Sequence, residues 1–300
     1  MTNWSEFQPE EYLEATRQSF LVKDYAPVIA NRCGIKNGSY ILEVGCGTGA
    51  FSQYIAQSVE DVRFIGIDNN KQLLEYYNRV RRSESNTFLG ILDDAFHLPF
   101  ADEAFDAVCS HTFLTCIQHP KEALQEMKRV CKKGGVISSI TAMSWEHTTT
   151  YDGNYPIEVQ SFITQFRELY AKVYRAYYEQ FNGMSMAQGV SLNKVPLLFR
   201  DSGLKKVSIL SVGRAFSLSD GAISLKEKRQ YIDNFYLGER KKTDYLLEYM
   251  KKNPIISKEI VMEFLISLER WRDFWIAHME DNDIWDWSGG SQLLTTGINE

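Results

Sequence analysis

Residues 41–50 read ILEVGCGTGA: a strand-like apolar run broken by one carboxylate, Glu43, and followed at once by glycines at 45, 47 and 49. Glycines at alternate positions directly after a buried run require backbone that turns tightly and passes close to something else. The next stretch, AFSQYIAQSV, is helical in pattern, so the unit is strand, tight loop, helix. The same alternation continues through residue 142. RFIGID (63–68) is a strand before the helix KQLLEYYNRVRR, TFLGILD (87–93) a third strand, FDAVCS (105–110) a fourth before PKEALQEMKRVCKK, and VISSIT (136–141) a fifth. Alternating strands and helices predict an α/β fold, a doubly wound parallel sheet with helices on both faces. Such sheets bind ligands at the carboxyl ends of their strands, and the first of those ends is the glycine loop.

Composition narrows the partners. With 33 basic and 39 acidic side chains the net charge is -6, which gives no general attraction to nucleic acid. The five cysteines (Cys33, Cys46, Cys109, Cys116 and Cys131) are odd in number and show no C-x-x-C spacing. Reduced thiols are expected, not a disulfide framework or a zinc site, and no other metal-ligand spacing is present. Apolar runs such as EIVMEFLISL fall well short of the roughly 20 residues that cross a bilayer. The opening residues MTNWSEFQPEEYLEA have neither the basic nor the apolar region of a secretory leader, so a cytoplasmic location without membrane insertion is expected. Homodimerisation is left open.

The glycines alone do not choose the ligand, because Gly45-x-Gly47-x-x-Ala50 with Asp68 some 20 residues on also fits a dinucleotide fingerprint. Glu43 discriminates. A pyrophosphate at the end of the first strand meets an uncompensated carboxylate, whereas an ammonium group is stabilised by it. Asp68, ending the second strand, suits a ribose diol, since a carboxylate accepts from two hydroxyls. An amino acid joined to a ribose describes S-adenosylmethionine (SAM), with S-adenosylhomocysteine (SAH) as its demethylated product. A dinucleotide-dependent oxidoreductase and a non-catalytic SAM- or SAH-binding protein remain as alternatives.

EVGCGTG, the acid closing FIGIDNN, then LDDAFHLPFADEAFD and HPKEALQEMKRVCKKGG resemble, in that order, the class I SAM-dependent methyltransferases, especially the methyltransferase-11 or ubiquinone/menaquinone C-methyltransferase-like group. The resemblance covers residues 35–142 and, more weakly, 192–212. It implies a Rossmann-like, seven-stranded, mostly parallel sheet. It also implies that Glu43, Gly45, Cys46, Gly47 and Gly49 surround the methionine part of SAM, that Asp68 binds the ribose, and that Asn69 reaches towards the adenine. Asp94 then meets the adenine amino group, with Asp93 its one-residue rival, Ala95 and Phe96 lie beside the ring, and Ser110 and His111 flank the methyl-donor end. Glu126, Arg129 and Gly135 match a pattern expected to be structural. The activity implied is metal-independent transfer of the SAM methyl group, by in-line displacement, to an oxygen, nitrogen or carbon nucleophile of a small-molecule acceptor. A base is needed only if the acceptor must lose a proton; His111, His147 and Tyr151 are the candidates.

The expected organisation is an N-terminal helical segment (1–34), the SAM-binding core (35–145), a helical cap insertion (146–191), a core helix and sixth strand (192–213), a second cap insertion (214–287) and a last strand (288–300). Phe162, Phe166, Tyr170, Tyr174, Tyr177, Tyr178 and Phe181 recur at three- and four-residue spacing in the first insertion, and Trp271, Trp275, Trp285 and Trp287 crowd the second. Such aromatics serve either as mutual packing or as a pocket for a flat or cationic acceptor.

Overall fold

The computed structural model describes residues 9–142, 149–151, 155–179, 194–280, 284–285 and 287–300. Its contacts divide into a sheet unit, within 21–147, 186–214 and 290–300, and a helical unit, within 1–20, 148–185 and 215–289. The stretch 1–34, expected as one segment, is therefore shared between them: α1 (Glu10–Phe20) lies in the helical unit and α2 (Ala26–Arg32) in the sheet unit.

In the sheet unit β1 (Tyr40–Val44), α3 (Ala50–Ile55), β2 (Arg63–Asp68), α4 (Lys71–Val80), β3 (Thr87–Leu92), β4 (Phe105–His111), α5 (Pro120–Val130) and β5 (Cys131–Ala142) follow the predicted alternation. The strands β1 to β5 pair in parallel in the order 3-2-1-4-5. The order reverses at β1, and the glycine loop leaves that switch point. Two later strands, β7 (Lys205–Phe216) and β8 (Trp287–Ile298), follow in the chain, and β8 pairs antiparallel to β5 with Ile140 opposite Leu294.

Among the described residues the sheet has eight strands, not the expected seven. The extra one is β6 (Thr149–Tyr151), three residues paired with Trp287–Gly289 of β8. The last strand thus begins five residues before QLLTTGI. Gly289 is a ladder residue there, opposite Thr149.

Both faces of the central sheet are buried, as parallel strands require. On one face Ile41, Phe64, Cys109 and Ile140 pack on Ile29 of α2 and Phe51 and Ile55 of α3. On the other Leu42, Val44, Val108 and Ile137 pack on Leu124 and Met127 of α5 and Phe199 of α7 (Val195–Asp201). Each such aliphatic or aromatic side chain contributes about 1.5–3 kcal/mol by leaving water, so the strand ends that carry the glycine loop rest on rigid support.

The helical unit holds α6 (Ile157–Glu179), α8 (Leu225–Met250) and α9 (Lys258–His278). Both long later helices begin at serine caps. Ser224 and Glu227 form a reciprocal capping box on α8, and Ser257 accepts from the Ile260 N–H on α9. The aromatic stripe of α6 is core: Phe166 stacks on Trp271 at 5.8 Å and on Phe264 at 6.2 Å, and Phe162 meets Phe274. Trp275 is 2% exposed, whereas Trp285 and Trp287 are 44% and 36% exposed. Mutual packing accounts for Phe162, Phe166, Trp271 and Trp275. The side chains of Tyr178 and Phe181 lie outside the described residues. Among the described residues of this unit Lys242 and Glu239 form a buried ion pair at 2.6 Å, with Lys242 Nζ 3.7 Å from the centre of the Tyr12 ring.

Candidate functional site

The chain leaves β1 through three left-handed glycines, at φ +70°, +52° and +74° for Gly45, Gly47 and Gly49. The latter two are glycine for different reasons. A Cβ on Gly49 would collide with the ring of Tyr77, which is fully buried on α4, whereas one on Gly47 would meet only Leu73 at 3.9 Å. Gly47 therefore offers a backbone surface that a ligand can approach closely.

Asp68 ties this loop to β2. Its Oδ2 accepts from the Gly47 N–H at 2.8 Å and its Oδ1 from the Asn70 N–H at 2.9 Å. Burial pushes its pKa up, and the backbone N–H groups of Gly47, Asn70 and Asn69 draw it back down. Each carboxylate oxygen has a second lone pair, so the group keeps acceptor capacity for a diol. Asn69 is exposed beside it, and Asn70 turns its side chain to cap α4, accepting from the Leu73 N–H at 3.1 Å.

Glu43 sits deeper than the sequence suggests. It is 2% exposed, and its Oε2 accepts from both the hydroxyl and the N–H of Ser52, the latter at 3.2 Å. Ser52 lies in the first turn of α3, whose N-cap residue Gly49 has no side chain, so Glu43 supplies the missing cap. Burial raises its pKa to about 7, against the lowering effects of Ser52 and the charge of Arg81. Cys46, also buried, has its thiol pushed well up by burial, as do Cys33 and Cys131 to about 12. None of these three is an activated nucleophile.

The loop after β3 is fixed from beneath. Asp94 Oδ1 accepts from the Phe96 N–H at 3.0 Å, folding Asp94, Ala95 and Phe96 into a tight turn whose residues remain partly exposed. Asp93 donates its N–H to the Asp68 carbonyl at 3.2 Å and accepts on Oδ1 from the Asp94 N–H at 2.8 Å. Arg129 donates to the carbonyls of Leu98 and Phe100 and to Glu126, which itself accepts from the Leu98 N–H. The Glu126–Arg129 pattern thus pins this loop to α5.

At the end of β4, Ser110 and His111 are 0% and 6% exposed. The His111 ring stacks on Phe51 at 5.5 Å with 3° between planes, and the Gln292 amide nitrogen lies 3.3 Å from its Nε2, where a neutral ring accepts. Thr112 follows with φ +51°, a left-handed β-branched residue and so a strained one. Of the other two catalytic candidates, Tyr151 ends β6 in the helical unit with its side chain outside the described set, and His147 lies wholly outside the described residues. Among the described residues no group of three or more His, Cys, Asp or Glu could hold a metal ion.

Several features of the site went unread in the sequence. Arg81, at the C-cap of α4 and 8% exposed, donates from Nε to the Thr48 carbonyl inside the glycine loop at 2.7 Å. The hydroxyls of Ser110, Ser139 and Thr295 form a buried row across β4, β5 and β8, each without a hydrogen-bond partner among the described residues. Serines inside VISSIT were the available signal, since a central parallel strand is ordinarily apolar throughout.

The strand order, the glycine loop at the switch point and the strand-end acid together define a class I SAM-dependent methyltransferase fold. Residues 42–139 match the Methyltransf_11 family, a methyltransferase domain. The chain is 34% identical over 110 residues to a protein of Schizosaccharomyces pombe named an uncharacterized methyltransferase, covering 34% of this chain and 40% of that one. It is 30% identical over 130 residues to a sterol 24-C-methyltransferase of Aspergillus fumigatus, 43% of this chain and 33% of the relative. A demethylmenaquinone methyltransferase of Staphylococcus saprophyticus is 26% identical over 190 residues, 63% of this chain and 80% of the relative. The matches thus span well under half the length of the first two relatives.

Proposed function

We propose that this protein transfers the methyl group of SAM to an oxygen, nitrogen or carbon nucleophile of a small-molecule acceptor, releasing SAH. The observation that carries the reading is the pairing of an unobstructed, left-handed Gly47 with Asp68, whose carboxylate is held by two backbone N–H groups at the ends of β1 and β2. The residues fit the cofactor. Asp68 accepts from the ribose hydroxyls, the glycine turn passes the methionine part, Glu43 supplies the negative charge beneath an ammonium group, and Asp94, Ala95 and Phe96 present a polar acceptor and apolar surface for a purine. Bound SAM supplies an electrophilic methyl group. The protein's own contribution is to hold donor and acceptor in near-attack geometry and to keep water from competing.

Where the acceptor must lose a proton, His111, His147 and Tyr151 are the base candidates; at His111 the Gln292 amide occupies Nε2, so the ring takes up a proton there only when that contact opens. Acceptor choice is assigned to segments outside residues 42–139, where the family match ends. The test is SAH formation with a panel of small acceptors offering phenol, amine, carboxylate or activated carbon. Turnover above the acceptor-free rate supports the transferase. SAM binding with no turnover across the panel favours a non-catalytic SAM-binding protein.

A further inference from the structure

Nothing in a methyltransferase's chemistry requires a buried arginine behind the glycine loop, yet this chain places one there. Arg81 leaves the last turn of α4, its N–H donating to the Tyr77 carbonyl at 3.0 Å and its Nε to the Thr48 carbonyl at 2.7 Å. Tyr77 and Arg81 stand four residues apart, so they share one face of the helix. Tyr77 fills the space against Gly49, and Arg81 grips Thr48, itself 3% exposed, one residue earlier in the loop. The charge of the guanidinium draws the Glu43 pKa down, against the burial that raises it. We propose that Arg81 is a positioning residue of the cofactor site: through its bond to Thr48 it fixes the glycine turn and brings a buried positive charge to bear on Glu43. The inference rests on the functional reading above.

The groups facing Glu43 make Arg81 the cation that matters. Ser52 on α3 donates to Glu43, Asp68 on β2 opposes its ionisation, and Tyr77 on α4, Cys46 in the loop and Cys109 on β4 are neutral because burial raises each of them. Against this set Arg81 supplies the positive charge. A guanidinium is also suited to the place chemically, since it stays protonated when buried.

The experiment is a carbon-13 carboxyl NMR titration of the ligand-free protein, with the Glu43 signal identified by its loss in Glu43→Gln, run beside calorimetric SAM titrations at pH 7 and pH 9. In Arg81→Gln the Glu43 midpoint is expected to rise by about one pH unit, and SAM affinity to fall more at pH 7 than at pH 9. Arg81→Lys keeps the charge and returns the midpoint towards wild type, even with a weaker grip on Thr48. A midpoint unmoved in Arg81→Gln, or an affinity loss equal at both pH values, overturns the charge role and leaves Arg81 a structural cap. Should Arg81→Gln fail to fold, Arg81→Lys decides by the same midpoint: retention supports the proposal and a rise of a unit overturns it. A wild-type protein that binds no SAM overturns the functional reading instead, and the NMR midpoint still reports on Arg81 and Glu43.

Discussion

The two units bury their polar groups in opposite ways. In the sheet unit the strand ends carry Glu43, Ser110, His111, Ser139 and Thr295 into the interior, the three hydroxyls without partners among the described residues, and the turn between them is left-handed at three glycines. In the helical unit the interior is a continuous aromatic and aliphatic cluster around Phe166, Phe264, Trp271 and Trp275; among its buried charges Glu239 and Lys242 neutralise one another and Lys228 donates to the Met279 carbonyl. Desolvated charges and unpaired hydroxyls lower stability, so a fold keeps them chiefly where they serve a site. The helical unit is built for packing; the sheet unit gives up some stability at the ends of β1, β2 and β4.

Substitutions should separate the two. The largest effect belongs to Trp275→Ala, which removes a fully buried ring and is expected to destabilise the protein by about 3–5 kcal/mol, read by urea denaturation. A loss under about 1 kcal/mol would show that the aromatic cluster is not the core described. Glu43→Gln should act in the other direction. The folded pKa of about 7 stands above the ordinary 4.5, so the native state holds this proton more tightly than the unfolded chain. The stability that it contributes is full below pH 4.5 and lost as pH rises through about 7. A neutral amide keeps that stability. Glu43→Gln is therefore expected to be more stable than wild type by about 3 kcal/mol at pH 8, to match it near pH 4.5, and to bind SAM less tightly. Equal stability at both pH values would mean that the carboxylate is not desolvated.

Asp68→Ala tests the opposite balance, since its cost should fall on the ligand. A loss of about 1–3 kcal/mol in SAM affinity is expected, the range for hydrogen bonds to a charged group, and unchanged affinity would remove Asp68 from the ribose site. The smallest effect is Ser139→Ala. Deleting an unpartnered buried hydroxyl should raise stability by up to about 1 kcal/mol. A marked loss instead would show that the hydroxyl is paired.

What could be read from the chain depends on how far apart the interacting residues lie. The glycine loop, Asp68 and the strand–helix alternation are local patterns, and the structure keeps them at their predicted places. Ser52 capping α3 through Glu43, Arg81 reaching Thr48 and Gln292 reaching His111 join residues 9, 33 and 181 positions apart. Those contacts depend on register and helix rotation, which periodicity does not determine. The same holds for β6, three residues long and visible only once β8 is in place. The aromatic stripe was legible as a stripe, but its role was settled by the rings of α9 that it meets.

The most direct test of the account is calorimetric titration of the purified protein with SAM, SAH and NAD side by side. Micromolar binding of SAM and SAH with no heat from NAD is the expected result. Binding of NAD alone would contradict the roles given to Glu43 and Asp68, and the proposed function with them.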